Sequence, residues 1–146
     1  MERPMPTFTA AEIRRACRGR LVSGDPQHQV HGISTDTRSL ARGQAFLALR
    51  GKNHDGHDFA PKAVRAGASA LIVERQGCIG DLPEGTALLT VQNTKRALMD
   101  LARWHRNRLE GKVLAITGSC GKSTVKRMLG TILSDVGRCS VAPKSF

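Results

Sequence analysis

The residues whose types and spacing carry the most chemistry are Thr117-Gly118-Ser119-Cys120-Gly121-Lys122-Ser123-Thr124. An apolar run, Val113-Leu114-Ala115-Ile116, leads into them, and a stretch with helical periodicity follows. Strand, glycine loop, Gly-Lys-Ser and helix in that order form a loop that cradles a nucleoside triphosphate. Gly118 and Gly121 let backbone N–H groups approach phosphate oxygens with no Cβ in the way. The helix N-terminus adds its partial positive charge. Lys122 is the catalytic candidate, an ammonium for the β- and γ-phosphates. The Ser123 hydroxyl is the candidate Mg²⁺ ligand, and Thr124 offers a second hydroxyl. One departure stands out. The general pattern has a glycine five residues before the last glycine, and here that position is Ile116. The fit is to a shorter Thr-Gly-Ser-x-Gly-Lys-Ser/Thr form, set against the alternative of a glycine turn ahead of an unrelated helix.

Such a loop needs elements to hold it. The run before it predicts a buried parallel strand. After it, Val125, Met128, Leu129, Ile132, Leu133 and Val136 predict a helix over 122–136. Only 22 residues follow Thr124, so a longer ATP-using enzyme is expected, of which this is the front part. Upstream, Thr9-Ala10-Ala11-Glu12 is a capping box that predicts a helix over 10–17, ended by Gly19. Strands are expected at 21–22 and 30–34, split by the turn Gly24-Asp25-Pro26, and at 45–49, 70–73 and 87–91. A polar loop spans 51–56, and a helix is expected over 59–66, stopped by Gly67. Asn93 or Thr94 caps a longer helix to about Leu109, with Leu98, Leu101, His105 and Leu109 on one face. Alternating strands and helices define an α/β protein. The expected divisions are a small domain over 1–92, a connecting helix over 93–111 and the beginning of an ATP domain over 112–146.

The net charge of +11 raises the question of nucleic acid. Arg14, Arg15, Arg18 and Arg20 form one basic group, and Lys95, Arg96, Arg103, Arg106, Arg108 and Lys112 another. No Tyr, one Trp and four Phe leave little on which bases could stack, and no DNA-binding motif is present, so nucleic acid is excluded as the main partner. A basic surface suits anionic nucleotide substrates. Cys17, Cys78, Cys120 and Cys139 show no CxxC pairing and read as reduced thiols. No apolar run reaches the ~18 residues of a membrane span. No export signal is evident at the N-terminus. A cytoplasmic monomer is expected.

Thr117-Gly-Ser-Cys-Gly-Lys-Ser-Thr-Val-Lys126 resembles the ATP loop of the Mur ligases, amide-bond ligases of peptidoglycan precursor synthesis. The Gly-Ser-x-Gly-Lys form followed by Val125-Lys126 looks most like the branch that adds D-alanyl-D-alanine. Two upstream segments are similar to the same family. One is Ile33-Ser34-Thr35-Asp36-Thr37-Arg38 followed by residues 43–51; the other is Asp55-Gly56-His57-Asp58-Phe59 followed by residues 63–73. Together with the helix at 94–102, the resemblance covers the chain from about Thr7 to Phe146. It implies a small N-terminal UDP-binding α/β domain, then the start of a P-loop parallel-sheet ATP domain.

The resemblance further implies ATP and Mg²⁺ as cofactors, and UDP-MurNAc-tripeptide and D-Ala-D-Ala as small-molecule substrates. ATP would contact Thr117, Gly118, Ser119, Cys120, Gly121, Lys122, Ser123 and Thr124. The UDP end would contact Thr35, Thr37 and Arg38, then Lys52, Asn53 and His54. A diphosphate asks for an Arg or Lys with hydroxyl and backbone donors, which these residues supply. For Asp36 the favoured role is a local salt bridge with Arg38 that shapes the turn. His57 and Asp58 are expected to shape their loop and cap the next helix. His28, His31 and His105 show no metal spacing. Two other accounts stay open: a sibling ligase that adds the third peptide residue, and a non-catalytic UDP-sugar-binding module.

Overall fold

The computed structural model describes residues 6–51, 54–77 and 79–142. The chain divides into two compact units, Met1–Leu109 and Glu110–Phe146.

The first unit is a three-layer α/β/α domain. Its main sheet contains β2 (Arg20–Ser23), β4 (Ile33–Ser34), β5 (Ala45–Leu47), β6 (Ala70–Val73) and β7 (Ala87–Thr90), in the order β2-β7-β6-β5-β4. Strands β4 to β7 run parallel, and β2 closes the edge antiparallel to β7. Strand residues alternate between two cores, as the period of two requires. Ala45, Leu47, Ala70, Ile72, Ala87 and Leu89 face one cluster together with Ile13 of α1 (Ala10–Ala16), Cys17 just after it, and Ala97 and Leu101 of α3 (Thr94–Asn107). Phe46, Leu71, Val73 and Leu88 face the other, with Ala60 and Ala63 of α2 (Ala60–Arg65). Covered on both faces, β5, β6 and β7 read as continuous apolar runs. The helix expected as a connector over 93–111 is α3, and it packs into this unit's core.

A further strand, β1 (Thr7–Thr9), pairs antiparallel with β3 (Gln29–His31); its three residues were too short a run to stand out in the sequence. Glu12 and Thr9 form the reciprocal capping box, with Thr9 N–H donating to Glu12 Oε2 at 2.9 Å and Glu12 N–H to Thr9 Oγ1 at 3.1 Å. The end of α1 corrects an expectation. The left-handed residue is Arg18, at φ 53°, while Gly19 follows it. Gly19 is needed for contact instead, since a Cβ there would stand 2.8 Å from Thr90 O.

In the second unit, α4 spans Lys122–Val136, the bounds the spacing predicts. The preceding strand is not formed: residues 112–118 carry no regular structure, and Val113 and Leu114 are each 62% exposed. A strand is stable only with a ladder partner, and no strand occurs among the described residues of this unit. No helix among the described residues is long and apolar enough to cross a membrane.

Candidate functional site

Two sites were expected, and each lies within one unit. In the second unit, residues 117–121 form an exposed loop that delivers the chain into α4. Gly121 occupies the N-cap position at φ 77°, a left-handed conformation that an L side chain resists. No side chain caps the helix, so the first-turn N–H groups face outward as an anion-binding end would. The Lys122 ammonium folds back over the loop and donates to Gly118 O at 2.6 Å. Thr117, Gly118, Ser119, Cys120, Gly121, Ser123 and Thr124 are all exposed around it. These donors fit a polyphosphate: backbone N–H groups, one ammonium and several hydroxyls, with no carboxylate in the loop. Ser123 offers a single hydroxyl to a cation. No group of three or more His, Cys, Asp or Glu suited to a metal occurs among the described residues.

In the first unit, the parallel strands all end on one edge, the edge where α/β sheets bind ligands. Residues 35–38 follow β4, residues 50–55 follow β5, and Glu74 and Arg75 follow β6. Ser34 Oγ donates to Asp36 O at 3.0 Å and shapes the turn. Arg38 then lies along the Asp36 carboxylate. Its Nε is 3.0 and 3.1 Å from the two oxygens, and its Nη2 is 2.6 Å from Oδ2. The Arg38 side chain, aided by the Arg38 backbone N–H, holds the Asp36 carboxyl down to about 2. The local pair expected at Asp36 is therefore present. Thr35 and Arg38 are exposed, and Thr37 is half-buried beside them. After β5, Arg50 bridges to Asp55, and Gly51 N–H donates to the exposed His54 carbonyl at 2.8 Å. Lys52 and Asn53 lie outside the described residues. The structure thus brings residues 35–38 and His54 to the same sheet edge.

The residues just after this bridge hold what sequence reasoning missed. His57 is 1% exposed, with both ring nitrogens engaged. The carboxylate that caps the next turn is Asp55, not Asp58. The backbone N–H and then the ring of His57 hold the Asp55 carboxyl below its usual range. Burial pushes the Glu74 carboxyl up, but two hydrogen bonds from Thr94 outweigh it and leave it lowered. The only signal in the sequence was the Asp55-x-His57 spacing. Its partner Glu74 lies 17 residues on, beyond any local pattern.

The chain thus holds a parallel α/β domain with polar side chains at its carboxyl edge and a glycine loop that opens a helix. The chain belongs to the Mur ligase family: the family's catalytic-domain description matches residues 29–106. Among its relatives is the UDP-N-acetylmuramoyl-tripeptide–D-alanyl-D-alanine ligase of Escherichia coli (strain K12). It is 40% identical over 133 residues, covering 91% of this chain and 28% of the relative. A crystal structure of MurF from Acinetobacter baumannii superposes with a TM-score of 0.79 at 38% identity, over 92% of this chain and 29% of that one. A second, MurF from Thermotoga maritima in complex with ADP, has a TM-score of 0.58 at 33% identity, over 70% of this chain and 23% of that one. The chain spans under a third of the length of these relatives.

Proposed function

We propose that this chain supplies the UDP-sugar-binding domain and the ATP loop of a cytoplasmic ligase. That ligase joins D-alanyl-D-alanine to UDP-MurNAc-tripeptide. The observation that carries the reading is the 40% identity to a ligase of that name across 91% of the chain, a span that takes in both the 35–38 turn and the 117–124 loop.

The chemistry follows from the poor reactivity of a carboxylate as an acyl donor. Transfer of the γ-phosphoryl group to the terminal carboxylate of the tripeptide gives an acyl phosphate. The amine of D-Ala-D-Ala then attacks the acyl carbon, loses a proton, and phosphate leaves. Lys122 and the first-turn N–H groups of α4 stabilise charge on the transferring phosphoryl oxygens. Ser123 is the residue of this chain that would hold Mg²⁺, whose positive charge offsets the negative charge of the phosphates. At the other end, Thr35, Thr37 and Arg38 bind the diphosphate, and the 52–54 segment binds the uridine. Arg38 reaches the phosphate while Asp36 holds its guanidinium in orientation.

The test is to read the gene past the codon for Phe146 and assay its product for ligation of D-Ala-D-Ala to UDP-MurNAc-tripeptide, detected by mass. Ligation that depends on ATP and is lost in Lys122→Ala supports the reading. A product that binds UDP-MurNAc-tripeptide but ligates nothing overturns it in favour of a binding module. The 146-residue chain alone is expected to bind the UDP-sugar and to release no phosphate.

A further inference from the structure

The arginines along the carboxyl edge of the main sheet differ in their partners. Arg38 lies on Asp36, and Arg50 and Arg75 both reach Asp55. Arg18 and Arg20 are exposed, and neither makes an ion pair or a side-chain hydrogen bond with a described residue. They stand on the same edge because β2 runs antiparallel to β7, which puts Arg20 opposite Thr90, the last residue of β7. Arg18 is held there in the left-handed conformation, at φ 53°, which a residue with a Cβ resists. Gly19 N–H donates to Arg14 O at 2.9 Å and ties this corner to α1. Such strain persists only where the surrounding structure imposes it.

Arg18 and Arg20 line one pocket of about 430 Å³, with Glu74 from the end of β6 and Gln92 from the end of β7. The Glu74 carboxylate is engaged at the start of α3, where its Oε1 accepts from Thr94 N–H at 2.8 Å and from Thr94 Oγ1 at 3.0 Å. The two guanidinium groups have no such carboxylate. Planar N–H donors from two arginines suit a ligand carboxylate. Position narrows the ligand. Adjacent strands lie about 4.8 Å apart, so the ends of β4 and β7, three places apart in the sheet, are separated by about 14 Å. Three extended peptide residues span about 10 Å, and a sugar ring ahead of them covers the rest.

We infer that the pocket at Arg18 and Arg20 is the subsite for the side-group carboxylate of an acidic residue in the peptide of the UDP-sugar-peptide, not for the terminal carboxylate that reacts. The inference rests on the reading of the 35–38 turn as the diphosphate site. Nucleotide and peptide are then held at opposite ends of one sheet edge, and the pocket distinguishes a UDP-sugar that carries an acidic peptide from one that does not.

The test is calorimetric titration of the 146-residue chain with UDP, with UDP-MurNAc-tripeptide, and with the same tripeptide ligand amidated at its acidic side group. The variants are Arg18→Gln, Arg20→Gln and the two combined. Glutamine keeps the Cβ, so the backbone strain at position 18 is unchanged and thermal midpoints should stay at the native value. UDP should bind all forms alike. UDP-MurNAc-tripeptide should bind the unaltered chain more tightly than UDP does, and lose about tenfold or more in the combined variant, as for removal of charge-assisted hydrogen bonds. The amidated ligand should bind the unaltered chain and the combined variant equally. Tripeptide affinity that survives the combined variant overturns the inference and leaves the UDP-sugar reading intact. So does a loss that UDP shares, which would assign the arginines to the nucleotide, or a loss that the amidated ligand shares. An unaltered chain that binds no UDP removes the UDP-sugar reading and the inference together.

Discussion

In the unit that ends at Leu109, Phe46, Leu71 and Ile72 are sealed between a sheet and its helices; in the unit that begins at Glu110, Met128 and Ile132 of α4 stand 61% and 59% exposed. Both sets of residues come from equally clear periodic patterns. The difference lies in what each pattern meets. Strands β5, β6 and β7 find ladder partners on both sides and a helical layer on each face. Helix α4 finds Val141, whose Cγ2 would touch a Cβ at Gly130, and little else among the described residues. An amphipathic helix is thus legible from one segment, whereas burial of its apolar face needs a second segment.

The sharpest way to break this contrast is by truncation in each unit. Phe46→Ala should cost about 3–5 kcal/mol of unfolding free energy, as for a buried aromatic, read from the urea midpoint at constant m. Ile132→Ala should cost about 0.5 kcal/mol or less, as at an exposed site. Comparable losses at the two positions would show that α4 is packed in solution. Next in size, amide exchange should be slowest at Phe46, Leu71 and Leu89 and fast through α4 and residues 112–118; strong protection at 113–116 would mean that a strand forms there. Thr9→Ala should cost about 1 kcal/mol through loss of the capping box. It should move only the transition of the first unit.

The smallest effect is electrostatic. Asp36 titrates near 2 when folded, below its ordinary 3.8, because the Arg38 side chain binds the ionised form. A depressed folded value stabilises the protein above the unfolded pKa, and that contribution fades as the pH falls from about 4 toward 2. The pair is exposed, so the change in stability should be slight. Carboxyl NMR titration of the native chain and of Arg38→Ala checks it. Asp36 should return to its ordinary range in the variant, and no change would detach Arg38 from the Asp36 turn.

Local physics explains what was readable. The capping box at Thr9 and Glu12, the Asn93 cap of α3 and the start of α4 at Lys122 each depend on groups within four residues of one another. The turn that opens α4 is legible for the same reason: Gly121 and the first turn of the helix are contiguous. The Asp36–Arg38 pair, two residues apart, also falls within that range.

Other features needed the assembled chain. Arg18 rather than Gly19 takes the left-handed position because Gly19 must pass against Thr90, a contact made by β2 lying beside β7. The strand expected at 113–116 had the right composition and, among the described residues, no partner, and a strand is a property of a pair. His57 shows the limit most clearly. Its type and its neighbour Asp55 were visible, but Glu74 N–H reaches its ring only once β6 is packed beside it, and Thr94 meets the Glu74 carboxylate only once α3 is in place. The sequence by itself determined where α1, α3 and α4 begin, because those starts depend on neighbours along the chain. Tertiary structure alone decided which apolar faces are covered and which buried polar groups meet, because both depend on segments distant in sequence.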